Sequence, residues 1–169
     1  MSRLTLHRDR WYSALRLILT FVVNVLAALN CHAQSNLAAP QRSTLEDSTQ
    51  FALLAELDRL PPSIVALCAD ADGRLAFQRE RWTPGDVRLG SWPRRRVIWA
   101  ARSKDLFVVH FEQGGFAHTY HIIVAEPQQI PSDYRLLWQA AGPRLRDYQD
   151  FVEALKANDF QSEPTSHRR

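Results

Sequence analysis

The stretch "LFVVHFEQGGFAHTYHIIVAE", Leu106 to Glu126, decides the fold. Two runs of β-branched and aromatic residues flank the pair Gly114-Gly115. Such runs favour strands. Paired glycines reach positive φ without steric penalty, so they read as the tip of an antiparallel hairpin. A two-residue loop pairs Gln113 with Phe116 and His110 with Thr119. Successive strand residues point to opposite faces. Phe107, Val109, Phe111, Phe116, Tyr120 and Ile122 then share an apolar face with His118. His110, Glu112 and His121 fall on the other face, with His110 and His121 diagonal neighbours roughly 7–8 Å apart. A three-residue loop would instead put His110 directly opposite His118, on a face with Glu112. Either register leaves two His and one Glu on one face, the minimum donor set for a zinc-like ion. His110, His121 and Glu112 are therefore candidate metal ligands, although no H-E-x-x-H or similar spacing supports them.

Working outward, "RRRVIWAARS" (Arg94–Ser103) and "YRLLWQAA" (Tyr134–Ala141) read as further strands, the latter with a helical turn as the alternative. Ser103 to Asp105 makes the tight turn between the first of these and the hairpin. Upstream, Asp72-Gly73 is a turn signal, and alternation from Leu75 to Trp82 reads as one more strand. Ile64 to Leu67 is too short an apolar run to assign. "TPGDVRLGSWP" is a loop. At the N-terminal side, Ser43 three residues before Glu46 forms a capping box. Leu45, Phe51, Leu54, Leu57 and Leu60 trace a helical stripe that Pro61-Pro62 stops. This predicts a helix over 44–60. At the C-terminal side, Pro143 sits at a helix N1 position, and Leu145, Tyr148, Val152 and Leu155 recur at helical spacing. The expected fold class is α+β: an antiparallel sheet of four to five strands in a meander, flanked by an N-terminal and a C-terminal helix on one face.

The chain begins with Arg3, Arg8, Arg10 and Arg16, then the apolar run "LILTFVVNVLAAL", then "CHAQS". A basic start, a short apolar core and a small-residue exit predict a signal peptide over 1–33, cleaved near Ala33. The core is well short of the roughly 20 residues that span a bilayer; an uncleaved anchor is the alternative. Cys31 fits a lipidation site poorly, because Asn30 precedes it. A flexible lead-in is expected over 34–42, a single domain over 43–159, and a disordered tail over 160–169. The scarcity of Lys beside Arg fits a GC-rich bacterial coding sequence, hence a periplasmic or secreted product. No transmembrane span is expected in the mature chain.

Removing 1–33 takes four Arg and one Asp, leaving 17 of 21 basic and 17 of 18 acidic residues. The mature chain is formally neutral, so the overall basicity is no argument for nucleic-acid binding, and none is expected. Cys68 alone then remains of the two cysteines, so no intrachain disulfide supports the domain.

Nucleophilic chemistry finds little footing. Cys68 ends the run "IVALC" and reads as a small buried hydrophobe. Ser91 has the wrong neighbours for a nucleophile elbow. "DADG" (Asp70–Gly73) resembles part of a calcium loop, but the twelfth position is Arg81 rather than Glu. The basic cluster is richer: Arg79, Arg81, Arg88, Arg94, Arg95, Arg96, Arg102 and Lys104 are opposed within their span only by Glu80 and Asp86, with Trp82, Trp92 and Trp99 interleaved. Arg forks suit phosphate and carboxylate, and Trp faces suit sugars and cations. Arg94, Arg96, Trp92, Arg79 and Arg81 are therefore candidate binding residues. On a strand Arg94 and Arg96 act together and Arg95 does not join them. A solvated charged face over a Trp-filled core is the plainer alternative. The expectation is a non-enzymatic binding or interaction domain, its partner an anionic envelope component or a protein. It carries no cofactor. The competing expectation is a zinc or other metal site on the 105–125 hairpin.

Overall fold

The computed structural model describes residues 37–57, 60–87, 90–128 and 133–162. The expected signal peptide with its cleavage point, Arg88, and the tail from residue 163 on lie outside the described residues. The described residues belong to one compact unit, Ser35–Arg169.

The fold is α+β. In chain order it comprises helix α1 (Ala39–Glu46), a 3-10 turn (Ser48–Gln50), strand β1 (Ala52–Leu53) and helix α2 (Pro62–Cys68). Strands β2 (Arg95–Arg102), β3 (Phe107–Gln113), β4 (Thr119–Pro127) and β5 (Tyr134–Gly142) follow, then helix α3 (Tyr148–Ala157) and strand β6 (Gln161–Ser162). The sheet is an antiparallel meander in the order β1-β2-β3-β4-β5-β6. Its four long strands are the expected ones. The two additional strands are two-residue edges.

The β2–β3 turn is the expected one: Ser103 Oγ accepts from the Asp105 and Leu106 N–H groups, which closes the chain at Ser103–Leu106. The β3–β4 hairpin differs. Gln113 pairs with Thr119 and His110 with Ile122, so the loop holds five residues rather than two. Gly114-Gly115 does not make a two-residue turn. The Gly114 N–H donates to Arg94 O at 2.8 Å and the Gly115 N–H to Pro84 O at 3.3 Å. A Cβ on Gly114 would lie 2.0 Å from Thr83 O. The glycines let the backbone at Thr83, Pro84 and Arg94 lie against the hairpin, and Phe116 beside them is exposed.

Both sheet faces are buried, which explains why strands β3 and β4 read as nearly continuous apolar runs. One face carries Trp99, Val108, Ile122, Val124, Trp138 and Ala140 beneath Leu45 of α1 and Phe151, Val152 and Leu155 of α3. The Tyr148 hydroxyl donates to Leu45 O at 2.9 Å and ties these two helices together. The other face carries Val97, Ala100, Phe107, Val109, Phe111 and Ile123 beneath Ile64 and Cys68 of α2, with Leu57, Leu60 and Leu75.

The helix expected over 44–60 is corrected. α1 starts at Ala39, inside the stretch read as lead-in, and ends at Glu46. The Asp47 carboxylate accepts from the Thr49 N–H, the Thr49 hydroxyl and the Gln50 amide. This local bonding competes with helix continuation. The apolar stripe is then shared: Leu45 and Phe51 serve one face, Leu54, Leu57 and Leu60 the other. Between them the chain crosses the sheet edge as β1. Pro61-Pro62 opens α2 rather than only ending a helix, since proline suits the first turn.

The strand expected from Leu75 to Trp82 reduces to one bridge, Ala76 to Arg96. Glu80 closes a turn there: its carboxylate accepts from the Phe77 N–H, and its own N–H donates to Phe77 O. α3 starts at Tyr148 rather than at Pro143, because Asp147 caps it by accepting from the Asp150 N–H at 3.0 Å. Residues of the expected tail, Gln161 and Ser162, pair with β5.

Candidate functional site

The register of the strands sets the candidate site. Arg96 pairs with Glu112, Glu112 with Tyr120, and Tyr120 with Gly142. Directly paired residues share a face. These four therefore form a row across one end of the sheet, on the α1–α3 face. The neighbouring row, Trp99, His110, Ile122 and Ala140, lies in the core under Leu145 and Tyr148. The outer row is polar and opens to solvent.

Glu112 is only 3% exposed. A buried carboxylate needs partners, and it has two. Arg96 pairs with its Oε1, Nε donating at 2.7 Å. His118 Nε2 lies 2.8 Å from its Oε2. An ionised carboxylate only accepts, so Nε2 carries the proton. Each partner also rests on an aromatic ring. The Arg96 guanidinium lies 4.6 Å from the Trp82 ring centroid. The His118 ring stacks on Tyr120 at 5.1 Å and meets the edge of Trp82 at 5.5 Å. Beside this row a shallow cavity of about 270 Å³ opens between His118, Tyr120, Gly142, Asp159 and Gln161.

A second arginine–tryptophan stack adjoins it. Arg81 precedes Trp82 and lies 5.5 Å from the Trp92 ring centroid. Arg79 and Arg81 are exposed, while Arg94 is half-buried. Arg94 donates to Asp86 O at 2.8 Å. The contacts of Arg94 and Arg96 thus run to different partners, and the structure does not join these two side chains. Arg95 points to the opposite face, as the strand alternation requires. It caps α2 by donating to Cys68 O and Ala69 O, and its guanidinium covers Phe111 at 5.1 Å.

The histidine–glutamate set is not assembled as the two-residue register required. His110 and Glu112 are on the α1–α3 face. His121 pairs with Phe111 and is on the other face, where it stacks on the Phe111 ring at 5.2 Å. The three-residue shift in pairing separates them. No group of three or more His, Cys, Asp or Glu positioned to hold a metal ion occurs among the described residues. His110 is fully buried and both ring nitrogens are engaged. The Leu145 N–H donates to Nε2 at 3.1 Å, so Nε2 is the unprotonated nitrogen. Nδ1–H therefore donates to His121 O at 3.0 Å. Burial pushes its pKa down from 6.5 to about 4, against the smaller opposing pull of the His121 carbonyl. It is a neutral core residue.

Cys68 is fully buried, and burial pushes its thiol up to about 12. A thiol so far from ionisation is a poor nucleophile. The Asp70 carboxylate accepts from the N–H groups of Asp72, Arg74 and Arg94 at 2.9–3.0 Å. It staples the turn to the start of β2.

Sequence reasoning placed Arg96 in one candidate set and Glu112 in another; the structure makes them partners. It missed Tyr120, which it assigned to the apolar face, and it brought His118 to the face of Glu112 only in the three-residue-loop register. The Ser103–Asp105 turn already implied a register pairing Arg96 with Glu112 only if the bulge between Val97 and Trp99 was known. No protein-family model, curated protein or solved structure matches this chain. The fold defines an α+β domain with an antiparallel meander.

Proposed function

We propose that this chain is an exported, periplasmic binding module that holds an anionic envelope component at the open end of its sheet, without chemistry of its own. The observation that carries this reading is the pair of adjacent arginine–tryptophan stacks, Arg81 on Trp92 and Arg96 on Trp82. A guanidinium fixed on an aromatic face keeps its hydrogen-bonding edge free for phosphate or carboxylate. Arg96 is already balanced by Glu112, so exposed Arg79 and Arg81, which form no ion pair among the described residues, supply the charge for the ligand. The groups that would serve catalysis are committed to structure: Cys68 is buried, His110 spends both nitrogens, and Glu112 is held in an ion pair. Export rests on the basic, apolar, small-residue pattern of residues 1–33.

Inorganic polyphosphate, titrated by calorimetry, tests the reading. Binding should weaken as salt rises, as expected for exposed charges. Arg81→Ala with Arg79→Ala should abolish most of it, and Arg95→Ala should not. Polyphosphate binding that is absent, or unchanged in the double variant, sinks the proposal.

A further inference from the structure

We infer that the hairpin tip and the adjoining segment 84–87 dock onto an anionic lipid surface, with Phe116 and Val87 entering the interfacial layer and exposed Arg79 and Arg81 meeting the headgroup phosphates. The inference rests on the anion-binding reading above and names its ligand.

Phe116 is 98% exposed and Val87 69%. Phenyl rings are rarely left wholly in water, and exposed apolar groups that cluster mark interaction sites. These two belong to loops that are fastened together. The Gly114 and Gly115 N–H groups donate to Arg94 O and Pro84 O, and the Thr83 N–H donates to Pro93 O at 2.8 Å. Thr83 O also fills the space where a Gly114 side chain would stand. The hairpin tip and the segment 84–87 therefore start from one braced base.

Charge and aromatic content match a membrane interface. Arg79 and Arg81 are exposed beside Trp82 and Trp92, both half-buried. Tryptophan favours the headgroup level, and arginine near an anionic surface adds attraction that salt screens. One projecting phenyl ring and one valine offer a rigid protein partner little area, since stable interfaces bury several hundred Å² on each side. A fluid lipid surface accepts it without a matching pocket. This is the arrangement of a protein that lies on a membrane rather than spans it.

Both hydrophobic clusters are built from residues between Leu37 and Phe160, within the unit Ser35–Arg169, so that unit is the material for the test. Co-sedimentation is measured with phosphatidylglycerol vesicles and with phosphatidylcholine vesicles. Binding to the former alone, weakened by salt, is expected. Phe116→Ser should lower the partition about tenfold, the scale of one lost buried phenyl group, while leaving polyphosphate binding unchanged. The ring touches solvent on nearly all sides, so the substitution leaves the fold intact. Equal partition of Phe116→Ser and wild type overturns the inference. So does polyphosphate binding without vesicle binding, which assigns the surface to a soluble anionic partner and leaves the function reading standing. Loss of both overturns the two together.

Discussion

His110 shows how a polar residue becomes structural. Its two nitrogens join β3, the β4 backbone and the segment entering α3, and it accepts only one protonation state. The unfolded chain takes up a proton near pH 6.5, while the folded chain resists it until about 4. Between those values the unfolded state binds more protons, so its stabilising contribution is complete above pH 6.5 and is lost as pH falls toward 4. The shift corresponds to about 3 kcal/mol. His110→Gln keeps a donor and an acceptor but does not titrate. Urea unfolding of wild type at pH 7 and pH 4 should differ by about 3 kcal/mol more than the same comparison for His110→Gln. Equal pH dependence would show that His110 is not held neutral. At this scale the sequence was least legible. Three histidines within twelve positions look alike on paper, and burial, pairing and tautomer depend on a register that side-chain alternation alone leaves free.

At the scale of elements, composition was a good guide to long strands and a poor one to helix ends. β2 to β5 were legible because their β-branched and aromatic runs are long and their connections short. The N-terminal helix was misjudged because an apolar stripe does not say which surface it serves, and here Asp47 turns the chain around the sheet edge. The Gly114-Gly115 pair was legible as a hairpin, but its glycines serve contact with a neighbouring segment instead of a tight turn. Gly114→Ala tests this. Its Cβ would meet Thr83 O and the Pro84 backbone, which cannot move aside like a flexible side chain. Overpacking of this kind typically costs about 1–3 kcal/mol. The variant should lower the melting temperature and speed amide exchange at Gly114 and Gly115, while exchange in the centre of β4 changes only with global stability. Unaltered exchange at the two glycines would mean the loops are not fastened as described.

For the whole molecule, one sheet serves as the common wall of two cores. Trp99 and Ile122 face α1 and α3, while Val97 and Ile123 face α2. Neither core can persist once the strands separate, so the two faces should unfold in one transition. Cys68 reports on this because it is buried on the α2 side and is the single cysteine of Ser35–Arg169. Burial holds the thiol protonated, so labelling by a disulfide reagent requires opening. Leu155, on α3, packs against the opposite face and is 3% exposed. Leu155→Ala should cost about 2–5 kcal/mol. Where reclosing outpaces labelling, the rate tracks the open population. The substitution should then accelerate Cys68 labelling roughly 30-fold to several thousand-fold, in proportion to its effect on urea unfolding. A labelling rate indifferent to Leu155→Ala would show that the α2 face opens on its own, and that the sheet does not couple its two sides.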